Sequence, residues 1–213
     1  MFGHSSKCQI CGSIDLQVIL KYGHQCPVHG HRTKDQLNEE EVFYPLNLCF
    51  CNNCFLVQID YIIDPKIVFY PEYPYMTSMT NMLVNNFREL ANYCYDKFLD
   101  SQDLVVDIGS NDGVALKPFK DLGFKKILGV EPAKNLAKLA NKNKIKTFNG
   151  FLEKNNLNKI KKNADLILAS NVFAHSDKLK EMTECMFKLL SRNGTIIIEV
   201  QYLLNTLKDL TFD

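Results

Sequence analysis

From residue 104 onward, short apolar runs alternate with stretches of helical length, and this alternation limits the possible folds more than any other feature. LVVDI at 104–108, KKILGVE at 125–131, ADLILAS at 164–170 and TIIIEV at 195–200 read as strands, with IKTF at 145–148 a weaker one. Residues 114–122, 133–142 and 178–190 carry apolar side chains at helical spacing, as do residues 79–99 ahead of the first strand. Strands that are apolar throughout, separated by such helices, belong to a parallel sheet covered on both faces. Five strands are expected.

The segment before this pattern is different in kind. Residues 1–70 hold six of the eight cysteines and four of the five histidines, with β-like runs only at 16–20 and 55–60. A Tyr/Pro-rich connector, FYPEYPYMTS, follows at 69–78. Two domains are expected, 1–70 and 71–213. In the first, Cys8-Gln-Ile-Cys11 and Cys51-Asn-Asn-Cys54 form two C-x2-C pairs with 39 residues between them. Such a turn sets two thiolates on one side of a knuckle, and two knuckles complete a tetrahedral zinc site. Four thiolates leave no open position for water, so this zinc holds structure and does no chemistry. The competing readings are a redox pair or incidental core cysteines; neither pair clearly opens a helix after a strand, as a thioredoxin-like pair would. His24, Cys26, His29, His31 and Cys49 are nearby and could supply alternative ligands, but two full pairs already satisfy one ion. Cys94 and Cys185 fall on apolar helix faces and read as small buried hydrophobes.

Composition narrows the partners. Net charge is +1, and of 25 basic residues only Arg32, Arg88 and Arg192 are arginines, so no basic face suited to nucleic acid is apparent. No apolar run approaches the ~20 residues of a membrane span, and MFGHSSKCQI is not a basic and apolar leader. Paired cysteines without a leader point to a reducing cytoplasm. The expected partner is a small molecule, with no nucleic acid and no membrane.

VVDIGSNDG at 105–113 is the stretch that bears on chemistry. A dinucleotide fingerprint needs glycines at the first, third and sixth positions. Aligned on Gly109, this loop has Asn111 at the third and Val114 at the sixth, side chains where a pyrophosphate and a helix must press close. The pattern of Asp107, Gly109, Asn111 and Gly113 instead resembles the first motif of class I S-adenosylmethionine-dependent methyltransferases, whose cofactor carries an amino-acid tail and no phosphate. Glu131 ends the second strand, 22 residues after Gly109, where an acid accepts hydrogen bonds from ribose hydroxyls. The expected fold is therefore α/β, a Rossmann-like class I methyltransferase sheet in its first five parallel strands, preceded by a small zinc-binding domain. Expected cofactor residues are Asp107, Gly109, Ser110, Asn111, Asp112, Gly113, Glu131, Pro132, Gly150, Phe151, Asn171 and Val172. Asp112 could instead cap the following helix, and Glu131 could be a solvated strand-end carboxylate.

Taken together, CQICGS, CNNCFLVQI, YPYMTSMT, DIGSNDG, GVEPAKNLA, ASNVFAH and IEVQYLLNTLKDLTFD resemble the zinc-containing sugar C-methyltransferases that act on nucleotide-linked 4-keto deoxysugars. The resemblance implies proton removal beside the ketone, charge on the ketone oxygen as an enolate, and in-line attack of that carbon on the sulfonium methyl. It also implies roles: Tyr75 as the connector tyrosine facing the sugar, His175 near the reacting centre, Asn171 and Val172 along the cofactor, Gly150 and Phe151 beside the adenine. Tyr75 could equally pack and His175 could cap a helix. In the family, the stretch like LTFD leads into a Tyr-His-Glu-His string that holds the general base, followed by two further strands and a C-terminal domain that helps bind the sugar nucleotide. This sequence ends at Asp213, so it is expected to be an N-terminal portion, with the main base beyond Asp213, a missing half as partner, and strand 195–200 left as an apolar edge. Three alternatives stay open: O- or N-methylation of another small molecule, a non-catalytic zinc- and cofactor-binding scaffold, and, last, a zinc-ribbon nucleic-acid binder.

Overall fold

The computed structural model describes residues 2–28, 31–69, 72–160, 163–209 and 211. The chain divides into two compact units, Met1–Tyr75 and Met76–Asp213.

In the first unit, β1 (Gly3–His4), β2 (Leu16–Gln25), β3 (Tyr44–Cys51), β4 (Val57–Ile59) and β5 (Tyr61–Ile62) precede a short helix, α1 (Pro65–Phe69). β2, β3 and β4 form an antiparallel meander, and β1 pairs antiparallel with β5. β2 is longer than its apolar run, and β3 was not expected. Its signal is the alternation of Tyr44, Leu46, Leu48 and Phe50, a strand period that the cysteines between them obscure.

The second unit begins with α2 (Asn81–Lys97) and continues through β6 (Leu104–Ile108), α3 (Leu116–Asp121), β7 (Lys126–Glu131), α4 (Lys134–Lys142), β8 (Thr147–Asn149), β9 (Ala164–Ser170), α5 (Leu179–Leu189), β10 (Leu190–Glu199) and α6 (Leu203–Lys208). All five strands are parallel, in the order β10-β9-β6-β7-β8. Alternation along the strands feeds two cores. Val105, Leu166 and Leu168 pack with Phe87, Ala91 and Cys94 of α2 and with Leu116 and Phe119 of α3. Leu104, Val106, Ile108 and Ile167 pack with Met182, Cys185, Met186 and Leu189 of α5. Cys94 and Cys185 are fully buried in these two cores. The chain reverses its direction of travel across the sheet between β6 and β9, and ligands of such sheets bind at that switch point, outside the carboxyl ends of the strands. β10 lies at an edge, with Ile198 partly exposed.

Two boundaries differ from expectation for identifiable reasons. α3 starts at Leu116, with Ala115 at its N-cap, and not at Val114. Pro118 is tolerated in a first turn but lacks the N–H that a helix starting at Val114 would bond to the Val114 carbonyl. Asp112 is therefore not the helix cap. Ile145 belongs to the end of α4 and not to a strand, because its N–H bonds to the Ala140 carbonyl at 3.0 Å and its side chain is buried.

That α4 terminus holds Lys144 at φ 62, a left-handed conformation that costs any residue with a Cβ about 1–2 kcal/mol and suits glycine. Among the described residues Lys144 serves through its backbone: its N–H donates to the Asn141 carbonyl at 3.0 Å and its carbonyl accepts from Lys120 Nζ at 3.2 Å. Lys144→Gly is expected to raise the thermal midpoint by about 2–4 °C, checked by calorimetric melting.

Candidate functional site

The first unit brings its two C-x2-C turns together as near copies. Cys8 N–H donates to the Ser13 carbonyl (2.8 Å) and Gly12 N–H to the Cys8 carbonyl (3.0 Å); Cys51 N–H donates to the Leu56 carbonyl and Phe55 N–H to the Cys51 carbonyl, both at 2.9 Å. Each turn closes on a residue at positive φ, Gly12 at 73° and Phe55 at 64°. Phe55 accepts there the conformation that glycine takes freely in the first turn. The sulfurs of Cys8, Cys11, Cys51 and Cys54 all lie within 4.8 Å of one another, with Cys8–Cys54 at 3.4 Å and Cys11–Cys51 at 3.6 Å. A tetrahedron with metal–sulfur arms of ~2.3 Å has edges of ~3.8 Å, so the four thiols fit zinc closely. The Asn53 side chain hydrogen-bonds the Cys11 sulfur, which pulls its thiol down to about 6 and favours the thiolate a metal needs.

The buried Gln58 fixes the first turn from beneath, accepting from Gln9 N–H at 2.9 Å and donating to the Lys7 carbonyl at 3.2 Å. Nothing local in the sequence marks it, because its partners are 49 and 51 residues away. Among the described residues the four cysteines are the group of metal-ligating side chains that converges. Cys49 is buried apart from them, with its thiol pushed up by burial and by the Asp60 charge. His24, Cys26 and His31 do not join, and His29 lies outside the described residues.

In the second unit the glycine loop sits at the carboxyl end of β6. Gly109 and Ser110 both direct their N–H groups at the Val130 carbonyl, at 2.8 and 3.2 Å. Gly109 has φ 69, and a Cβ there would come within 2.7 Å of Val172 Cγ2. Asn111 is also left-handed, at φ 50; its Oδ1 accepts from the N–H groups of Asp112 and Thr77, both at 3.0 Å. Gly113, at φ 87, faces the Ile145 side chain.

Glu131 ends β7 beside this loop and is buried. Its Oε2 accepts from Asn111 N–H at 2.8 Å and its Oε1 from Ala133 N–H at 2.7 Å. Burial pushes its pKa up, those two donors oppose the rise, and the Asp112 charge adds to it. Asp107 is buried on the last turns of β6, and burial, reinforced by the Glu131 charge, holds its carboxyl well above the usual range. Among the described residues no cation offsets either acid. Asp112 Oδ1, Ser110 Oγ and Ser170 Oγ are buried without a hydrogen-bond partner. A pocket so lined repels a pyrophosphate and favours a ligand that brings cationic and hydroxyl donors.

The remaining expected positions of the second unit follow the carboxyl ends of its strands. Gly150 N–H and the Asn149 side chain both donate to the Glu131 carbonyl, at 3.0 and 2.9 Å, and Asn149 also reaches the Pro132 carbonyl. The Phe151 carbonyl accepts from Asn156. Asn171 follows β9 at φ 54 and Val172 leans on Gly109. His175 closes a short 3₁₀ turn, Phe173–His175, and is exposed. Tyr75 ends the first unit and is about two-fifths exposed, at 38%. Thr77, Asn149 and Glu199 at this end of the sheet went unnoticed in the sequence, since each acts through a long-range bond.

Comparison with known proteins agrees with this division. Residues 8–69 match the family described as "Putative zinc binding domain", and residues 106–196 match the family described as "Methyltransferase domain". C-methyltransferase NovU of Streptomyces niveus is 30% identical over 212 residues, which are 97% of this chain and 50% of that protein. The chain thus spans about half the length of that relative. Among solved structures, the plantazolicin methyltransferase BpumL in complex with SAH is 20% identical, covering 61% of this chain and 50% of that one at a TM-score of 0.48. The YcgJ protein of Bacillus subtilis is 16% identical, covering 54% of this chain and 50% of that one at a TM-score of 0.46. The methyltransferase match runs from β6 into β10, across all five parallel strands, and the zinc-binding match lies ahead of it.

Two outcomes are expected. Metal analysis should return one zinc per chain, and Cys51→Ser should lose it together with the cooperative melting of the first unit. For the loop, an acid whose folded pKa is raised contributes stability below its unfolded pKa and loses it as pH rises through the folded value. The ligand-free second unit is therefore penalised at neutral pH, because burial disfavours a charge on Asp107 that the unfolded chain accepts freely. Asp107→Asn should raise its melting temperature at pH 7 by on the order of 2–4 °C, with the gain shrinking as pH falls toward 4.

Proposed function

We propose that the second unit binds S-adenosylmethionine in the pocket around the 109–113 loop, and that the chain serves C-methylation beside the ketone of a nucleotide-linked deoxysugar. The observation that carries the cofactor reading is the pair of buried, cation-free carboxylates, Asp107 and Glu131. S-adenosylmethionine supplies an electrophilic methyl on a sulfonium, together with an ammonium and two ribose hydroxyls.

In this reading Asp107 meets the ammonium, and its carboxylate is stabilised by the charge it now faces. Glu131 already orients the loop through Asn111 N–H; each of its oxygens keeps a second lone pair, which accepts from ribose hydroxyls. The backbone of Ser110 to Gly113, with the orphaned Asp112 Oδ1 and Ser110 Oγ, takes the rest of the methionine tail. Pro132, Gly150 and Phe151 border the adenine, and Asn171 and Val172 close the other side. The zinc holds the first unit in shape and takes no part in the chemistry. His175 is the candidate in the second unit for contact with the acceptor: an imidazole can take up a proton from carbon. The relative named above, a C-methyltransferase, and the motifs DIGSNDG and NVFAH support carbon as the acceptor. Four closely spaced free thiols suit a cytoplasmic setting.

Titration of the zinc-loaded chain with S-adenosylmethionine in a calorimeter, with NAD as control, tests the cofactor. Saturable binding of the first alone is expected; binding of neither by a folded chain would remove this reading. Affinity should rise as pH increases through the ligand-free pKa of Asp107, because the ammonium needs the ionised form. Proton release on binding, read from heats in buffers of different ionisation enthalpy, should vanish in Asp107→Asn. With a 4-keto sugar nucleotide as acceptor, the transferred methyl should survive acid and alkali, as a carbon-bound methyl does.

A further inference from the structure

The end of β10 carries a carboxylate that neither the cofactor loop nor the acceptor candidates explain. Glu199 is the last residue of that strand. Its backbone carbonyl accepts from Asn171 N–H at 2.8 Å, and its Oε1 accepts from Asn171 Nδ2 at 3.1 Å. Its Oε2 accepts from Asn86 Nδ2 of α2 at 3.4 Å. Among the described residues no ion pair involves it. A carboxylate bridging two neutral carboxamides is an orienting device, since it presents acceptors on both sides and no donor that could compete.

What it orients is Asn171, a non-glycine residue at φ 54. That conformation is unfavourable for a residue with a Cβ and persists only where neighbours over-determine it. Two bonds to one residue of the adjacent strand do so here. The consequence falls on the next residue. Val172 packs against the Cα of Gly109 so closely that a Cβ there would lie 2.9 Å from Val172 Cβ. A line of contacts therefore runs from Asn86 and Glu199 through Asn171 to Val172 and the first glycine of the loop.

We propose that Glu199 is a positioning residue for the cofactor: its carboxylate locks the left-handed Asn171 and, through it, holds Val172 against the 109–113 loop. This rests on the reading that the loop binds S-adenosylmethionine, and on nothing about the acceptor.

The test is calorimetric titration with S-adenosylmethionine of the wild-type chain and of Glu199→Ala, Glu199→Gln, Glu199→Asp, Asn171→Ala and the Glu199→Ala/Asn171→Ala double variant, each with its melting temperature. Glu199→Ala should bind roughly tenfold more weakly, the loss expected for two bonds to one charged group, one part-buried and one exposed. Glu199→Gln should recover most of that, because one carboxamide can turn over to keep the bridge. Glu199→Asp, one methylene short of reaching both partners, should fall between and serves if the alanine variant does not fold. The double variant should bind no more weakly than Asn171→Ala alone, since a residue acting through another adds nothing once that other is gone. Phe124→Leu, in the core that does not hold Val172 and ahead of the start of β7, should lower the melting temperature while leaving affinity unchanged, separating positioning from general destabilisation. Wild-type binding with an unaltered Glu199→Ala, or additive losses in the double variant, would overturn the proposal alone. A folded wild-type chain that does not bind would overturn the cofactor reading and this proposal with it.

Discussion

Two N–H groups aimed at one carbonyl organise the second unit. Gly109 and Ser110 both donate to Val130, which folds the chain leaving β6 over the end of β7. That fold-over can form only where no Cβ intervenes, because Val172 already occupies the space. It brings Glu131 within reach of Asn111 N–H and buries Asp107, one pleat below, where no cation among the described residues offsets it. The same sheet that buries Val105 and Leu168 so well therefore keeps two acids at its mouth in an environment that disfavours their charge. This is the pattern of a binding site whose stability is completed by its ligand, with strain and desolvation kept where function needs them.

The first unit solves a different problem. It has a three-stranded meander and a two-stranded ribbon but few large buried side chains; its buried apolar positions are Cys8, Cys49 and Cys51. A domain of this size cannot rely on such a core. The two matched turns, each closed by a left-handed residue, hold four sulfurs at the spacing of a tetrahedral ion, and metal binding then supplies the folding free energy that apolar burial does not.

Much of this was legible beforehand because the signals were local. The strand limits of β6 and β9 match the apolar runs at 104–108 and 164–170 residue for residue, and the C-x2-C spacing alone picks out the four sulfurs that converge. Where reading failed, a partner distant in sequence or a competing local rule decided. Pro118 delayed α3, and Ile145 was claimed by the end of α4. β3 was hidden by cysteines lying on its alternate face. Gln58, Thr77 and Glu199 fall in the quoted motifs without a role there, and each matters through a bond to a residue at least 28 positions away.

The sequence by itself determined the parallel sheet and the two C-x2-C pairs whose sulfurs converge, because these follow from period, spacing and residue type. The tertiary structure alone decided which groups at the sheet's end face one another. Among the described residues it left Asp107 and Glu131 without a cation and the Asp112 Oδ1 and Ser110 Oγ atoms without a hydrogen bond, and it closed Asn171 onto Glu199. Those are properties of burial and distance between segments, and no local pattern in a chain encodes how much water will remain around a carboxylate once the segments have packed.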